Sequence, residues 1–105
     1  MSFQPNVLAT QSTGTRMTDW LTPYIGQVVI ADLDEFFMVL GTLQTVSADC
    51  LVFTEADLHD HREANSTKEV YAIESKKIGV RVNRTQVAIP RQRLVAISLV
   101  EHLCA

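Results

Sequence analysis

The stretch His59-Asp60-His61, close to Asp57, is the only part of this sequence with metal-ligand chemistry, because alternate histidines on an extended chain can face one ion. Nothing nearby supplies a third nitrogen or thiolate ligand, so a polar loop without metal is expected. His102 reads as a surface residue. Cys50 and Cys104 are too few and too far apart for a disulfide framework or a CxxC site. Cys50 begins a strand with no histidine at motif spacing, and Cys104 falls in a C-terminal end expected to fray. Asp32, Asp34 and Glu35 crowd a hairpin turn, where solvation accounts for them without acid–base chemistry. The 4 glycines are scattered and build no phosphate-cradling loop. The expectation is a protein that is not an enzyme and carries no cofactor.

Charge is the remaining chemical signal. The net charge of −3 hides an asymmetry: residues 1–75 hold 3 basic and 11 acidic residues, and residues 76–105 hold 6 basic and 1 acidic. The basic set is Lys76, Lys77, Arg81, Arg84, Arg91 and Arg93. It suits a phosphate-binding face, and it equally suits a complement to the acidic half of the same fold or of a neighbouring subunit.

These side chains need elements to position them. With 105 residues, 47% of them hydrophobic, the chain builds one compact domain. No stretch approaches the roughly 20 apolar residues of a membrane span, and no basic-then-apolar leader opens the sequence, so a cytoplasmic protein off the membrane is expected. Residues 1–15 are polar enough to remain a mobile tail, leaving 16–105 as the domain. Thr18 is placed to cap a short helix limited by Pro23, with Trp20, Leu21 and Ile25 as its buried contacts. From Gly26 the apolar period becomes two. Val29, Ala31 and Leu33 share a face of a first strand; Phe37, Val39, Gly41 and Leu43 share a face of a long second strand. The other face of that strand carries Phe36, Met38 and Leu40, so something must cover it. A tight turn at Ser47-Ala48-Asp49 leads to a third strand, Cys50 to Ala56.

After a polar loop over 57–67, Ser66 and Glu69 match a capping box, which predicts a helix over 67–77 with a narrow stripe of Val70 and Ile73 and a stop at Gly79. Val70-Tyr-Ala-Ile also has strand character, and a strand is the alternative. Val80 and Val82 alternate with polar residues, but Val87 and Ile89 fall on the opposite parity. A bulge or turn near Arg84-Thr85 follows from that slip. Pro90 stops ladder donation, and Arg91-Gln92-Arg93 turns the chain into a last strand, Leu94 to Val100.

A helix followed by five strands, the second bent at a glycine, makes a small strongly bent barrel, and here the sequence resembles the Sm-like (LSm) family. Gly26-Gln-Val-Val-Ile-Ala-Asp-Leu, Val39-Leu-Gly-Thr-Leu-Gln-Thr-Val and Leu51-Val-Phe-Thr-Glu-Ala look like that family's first motif. Val87-Ala-Ile-Pro-Arg-Gln-Arg-Leu-Val-Ala-Ile-Ser looks like its second. The resemblance spans roughly residues 18 to 100. It implies a mainly β, five-stranded Sm-like barrel, with a short N-terminal helix and a helical insertion between the third and fourth strands.

It also implies assembly of copies into rings of six or seven, the fourth strand of one subunit pairing with the fifth of the next. Val87, Ile89, Leu94, Val95, Ile97 and Leu99 would carry that interface. Members that hold uridine-rich RNA have Asp-x-x-Met-Asn before the third strand; this sequence has a shorter Ser47-Ala-Asp49-Cys50, and Pro90-Arg91 replaces a second-motif Arg-Gly. The fold signature is kept and the base-reading side chains are not. Two functions stay open: single-stranded RNA binding on a basic face of Arg81, Arg84, Arg91 and Arg93 beside the Ser47 and Asp49 turn, or a protein-interaction ring without RNA.

Overall fold

The computed structural model describes residues 19–63 and 67–104. The expected tail over 1–15, the Thr18 cap and Ser66 lie outside the described residues. Five antiparallel strands, β1 (Val28–Leu33), β2 (Phe37–Val46), β3 (Cys50–Asp60), β4 (Arg84–Pro90) and β5 (Leu94–Leu99), form one sheet in the order β4-β3-β2-β1-β5. A helix, α1 (Lys68–Ile78), stands between β3 and β4. No helix among the described residues is long and apolar enough to cross a membrane.

The connection between β4 and β5 dictates the curvature. These strands occupy opposite edges of the sheet, which would lie about 19 Å apart if it were flat. Only the 3-10 turn Arg91–Arg93 joins them, handing the chain from Pro90, opposite Cys50, to Leu94, opposite Leu33. At about 2 Å of rise per residue such a turn covers less than half the flat distance. The sheet is therefore curled. Gly41 is where it bends: the β2–β3 register shifts between Leu40 and Thr42, and Glu55 opposite takes a positive φ of 48°. A Cβ at Gly41 would lie 2.9 Å from both Cα and Cβ of Ala56.

The two faces of β2 divide the core as the alternation predicts from Phe37 onward, but Phe36, expected on the outer face, lies ahead of the strand and is exposed. Inside the curl, Leu21, Val29, Ala31, Leu33, Val39, Leu43, Leu51, Phe53, Ala56 and Ile89 are buried together. Outside it, Ile30, Met38 and Leu40 are covered by Ala72 of α1, with Tyr71, Val80, Val100 and Leu103 packed around them. The helical insertion and the C-terminal segment thus supply the cover that the outer apolar face requires.

Several expectations are corrected. The N-terminal helix is a single 3-10 turn, Thr22–Tyr24. So short a turn cannot bring three residues to one face: Leu21 is buried, while Trp20 and Ile25 are exposed. β3 runs to Asp60 rather than Ala56, because Phe37 to Leu40 of β2 pair with Asp57 to Asp60. The cap of α1 is Thr67, whose hydroxyl accepts from the N–H of Val70 at 3.2 Å. Its sheet-facing residues are Ala72 and Ser75, small enough for close approach, and Val70 is left exposed. Gly79 ends the helix at φ 97° as expected. Residues 80–83 are not a strand; β4 starts only at Arg84, and the parity slip marks the end of the crossover.

Candidate assembly edges and the arginine corner

β2 and β3 meet in a turn that consumes the polar groups of Ser47. Its hydroxyl accepts from the N–H groups of Cys50 (3.1 Å) and Asp49 (3.3 Å), and its own N–H donates to the Cys50 carbonyl at 2.9 Å. Cys50 lies opposite Pro90, so the 3-10 turn that follows β4 sits against this loop. The Arg91 N–H donates to the Asp49 carbonyl at 2.9 Å, and its guanidinium donates to the Ser47 carbonyl at 3.0 Å. The fold therefore brings Ser47, Asp49 and Arg91 into one corner, as the two turns of the resemblance imply.

A third element reaches that corner. The Arg91 guanidinium donates to both Asp19 carboxylate oxygens, at 2.6 and 2.8 Å, and Asp19 also accepts from the Leu21 N–H at 3.0 Å. Bidentate pairing of this kind is the strong form of an ion pair. The hydrogen bonds from Arg91, and secondarily that from Leu21, lower the Asp19 carboxyl to a pKa of about 2. The same pair raises the Arg91 guanidinium above its ordinary value. Arg93 is engaged likewise: its Nε donates to Asp34 Oδ1 at 2.5 Å, and its carbonyl accepts from the Asp34 N–H at 3.0 Å.

Arg81 and Arg84 stand elsewhere, which corrects the single basic face. Arg84 opens β4 opposite Ala56, six residues before Pro90 and so about 20 Å away along the strand. It donates to the Asn83 carbonyl. Arg81 lies over the Tyr71 ring at 4.8 Å and reaches Glu74 at 3.4 Å. Of the four arginines, Arg81, Arg91 and Arg93 face carboxylates of their own chain. Sequence reasoning missed the partners Asp19 and Asp34, which lie 72 and 59 positions from Arg91 and Arg93. The opposed charges of the two halves were the only signal for them.

Asp57 is another residue whose setting was missed. It is not in a polar loop but buried on β3, accepting from the Tyr71 hydroxyl at 2.5 Å and from Asn83 Nδ2 at 3.0 Å. The Asn83 carboxamide also accepts from the Leu58 N–H (3.0 Å) and donates to the Leu58 carbonyl (3.2 Å), taking the place of one more residue of β4. Burial, and then the Asp57 carboxylate, push the Tyr71 phenol above its usual value. His59 stacks on Tyr71 with centroids 3.6 Å apart, and His61 stacks on Phe36. Among the described residues no group of three His, Cys, Asp or Glu side chains is placed to hold a metal.

The two outermost strands present a different chemistry. Of the residues expected at an interface, Ile89 is buried in its own core, and Val87, Leu94, Ile97 and Leu99 pack partly against it. Val95 is 69% exposed. Where the end of β4 parts from the start of β5, an apolar cavity of about 180 Å³ opens between Leu33, Phe37, Leu58, Ile89, Pro90 and Arg93.

No protein-family model and no curated protein matches this sequence. Solved structures do share its architecture. The Sm protein of Pyrococcus abyssii, solved in complex with a uridine heptamer, is 16% identical with a TM-score of 0.53; the match covers 75% of this chain and 90% of that one. A chain of the NatC complex bound to CoA is 20% identical with a TM-score of 0.51, over 79% of this chain and 87% of that one. At these identities the likeness establishes the fold alone.

Proposed function

We propose that this chain, built on the Sm-like fold, is a non-catalytic assembly module that joins copies of itself edge to edge into a closed homo-oligomeric ring in the cytoplasm. The observation that carries this reading is the pair of open edges. β4 and β5, seven and six residues long, are each paired on one side only, and each leaves a row of main-chain donors and acceptors on the other. An open edge with exposed Val95 on β5, and with arginine and proline confined to the two ends of β4 at Arg84 and Pro90, is a template for another strand. Pairing β4 of one copy with β5 of the next satisfies both edges at once, and such a head-to-tail contact makes a ring when the rotation per copy divides a full turn. The two free cysteines suit a reducing compartment.

Nucleic acid is not required by this reading. Arg91 and Arg93, the arginines at the turn, each neutralise a carboxylate within the chain. The uridine heptamer belongs to the Pyrococcus protein, and the other matched chain belongs to a protein complex, so the fold serves in both settings.

Sedimentation at tens of micromolar tests the proposal. A discrete oligomer that dissociates in Val95→Glu, with the circular dichroism spectrum unchanged, is the expected result. A wild-type monomer refutes it.

A further inference from the structure

The inner face of the curled sheet is not completely filled. Where β4 hands over to β5, the cavity of about 180 Å³ is walled by Leu33, Phe37, Leu58, Ile89 and Pro90, and Arg93 is its one charged lining residue. The walls are fixed by the ladders: Leu33 lies opposite Leu94, Leu58 opposite Val39 and Ile89 opposite Leu51. The backbone around the space is thus held by the sheet, and the space is part of the fold rather than a gap that a rotamer change closes. A dry apolar cavity of about 150 Å³ holds a benzene-sized guest. At about 180 Å³ this one has room for such a ring and a short substituent.

Arg93 decides the polar end of a guest. Its Nε donates to Asp34 Oδ1 at 2.5 Å, and its carbonyl accepts from the Asp34 N–H at 3.0 Å, so the residue is anchored to the turn between β1 and β2. Its Nη groups have no hydrogen-bond partner among the described residues, which leaves donors for an oxygen acceptor. The charge nearby selects which acceptor. The hydrogen bond and charge of Asp34, and further off the charge of Glu35, raise the guanidinium above its ordinary value. Two carboxylates already act on one cation, and a third negative group would meet their repulsion. A neutral oxygen takes the hydrogen bond without that penalty.

We infer that the cavity is a binding site for a small uncharged aromatic or branched aliphatic molecule carrying one hydroxyl or carbonyl oxygen. Its apolar body lies among Leu33, Phe37, Leu58 and Ile89, and its oxygen accepts from Arg93. The site is built inside one copy of the chain and does not rest on assembly.

Benzene, benzyl alcohol and benzoate, titrated into the full chain and followed by methyl NMR, test it. The expected result is saturable shifts at the methyl groups of Leu33, Leu58 and Ile89. Benzyl alcohol should bind about tenfold tighter than benzene, the scale of one hydrogen bond to a charged group, and tighter than benzoate. It should also raise the melting temperature as its concentration increases. Arg93→Met keeps an apolar stem and removes the donors, and should bring benzyl alcohol down to the affinity of benzene. Leu58→Phe fills the space and should abolish binding of all three probes; if that variant melts early, the Arg93→Met comparison carries the test. The absence of saturable shifts at these methyl groups in wild type overturns the inference. So does benzoate binding as tightly as benzyl alcohol, a preference for benzyl alcohol over benzene that survives Arg93→Met, or binding that persists in folded Leu58→Phe. Sedimentation of the same samples reads assembly separately, so a monomer would refute the ring while leaving this result interpretable.

Discussion

Substituting Gly41 by alanine places one methyl group against Ala56 and Thr54 of β3, where the β2–β3 register shifts. Two effects oppose each other. Alanine restricts the unfolded chain and suits a strand better than glycine, which favours folding by about 0.4 to 1 kcal/mol. Against this, the new Cβ would sit 2.9 Å from Ala56 Cα and Cβ and 3.1 Å from the Thr54 carbonyl oxygen. Two of those three atoms are backbone, so no rotamer change relieves the contact, and overpacking of this kind costs about 1 to 3 kcal/mol. At mid-range values the clash wins by about 1.3 kcal/mol. In a domain of about this size each kcal/mol lowers the melting temperature by roughly 4 to 8 °C, so a fall of about 5 to 10 °C is expected. Thermal unfolding by circular dichroism at one fixed protein concentration measures it, since any oligomer makes the midpoint concentration-dependent. Ala56→Gly in the same chain removes one of the two Ala56 atoms that crowd the methyl and should recover part of the loss, a coupling that a double-mutant cycle isolates. A Gly41→Ala melting temperature equal to or above wild type would refute this account of the bend.

Two further outcomes follow from the polar contacts. The Asp19 carboxyl has a pKa of about 2 when folded and 3.8 as its ordinary value, so its pair with Arg91 stabilises the fold above about pH 4, and that contribution disappears as pH falls toward 2. Melting temperatures of wild type and Asp19→Asn should therefore differ at pH 6, draw together as pH falls through about 2 and converge only below it, the gap staying modest because the pair is partly solvated; a gap unchanged across that range contradicts the assignment. Tyr71→Phe leaves the buried Asp57 carboxylate with Asn83 as its remaining side-chain donor and should cost about 1 to 3 kcal/mol in chemical denaturation, with β1 to β5 retained by circular dichroism.

Local signals that depend on neighbouring residues were legible in the sequence. Period-two alternation located β1, β2 and most of β3, and it showed both apolar faces of β2. The last turn of α1 and its stop at Gly79 followed from residue type and backbone freedom. The Sm-like motifs carried the rest of the architecture, and the neighbouring solved structures share it. Where a boundary depended on a partner strand, the sequence was silent. The four residues Asp57 to Asp60 look like a polar loop and become strand because β2 offers Phe37 to Leu40 across the ladder.

The candidate site divides in the same way. The resemblance to a known fold singled out Ser47, Asp49 and Arg91 at its two contact turns and set the fourth and fifth strands as the pairing edges; charge alone marked the arginines of the C-terminal third. Which cation meets which carboxylate was decided only by the tertiary structure. Arg91 finds Asp19 across 72 positions and Arg93 finds Asp34 across 59, because the curled sheet and its three-residue link bring those segments together. Coulomb attraction between surface charges is weak and unselective along a chain; it becomes a bidentate contact only after hydrophobic burial has closed the barrel and set the geometry. The sequence by itself therefore determined the first three strands and the charge imbalance, and the packing of that core decided where the strands end, that residues 68–78 are helix, and where the charges are neutralised.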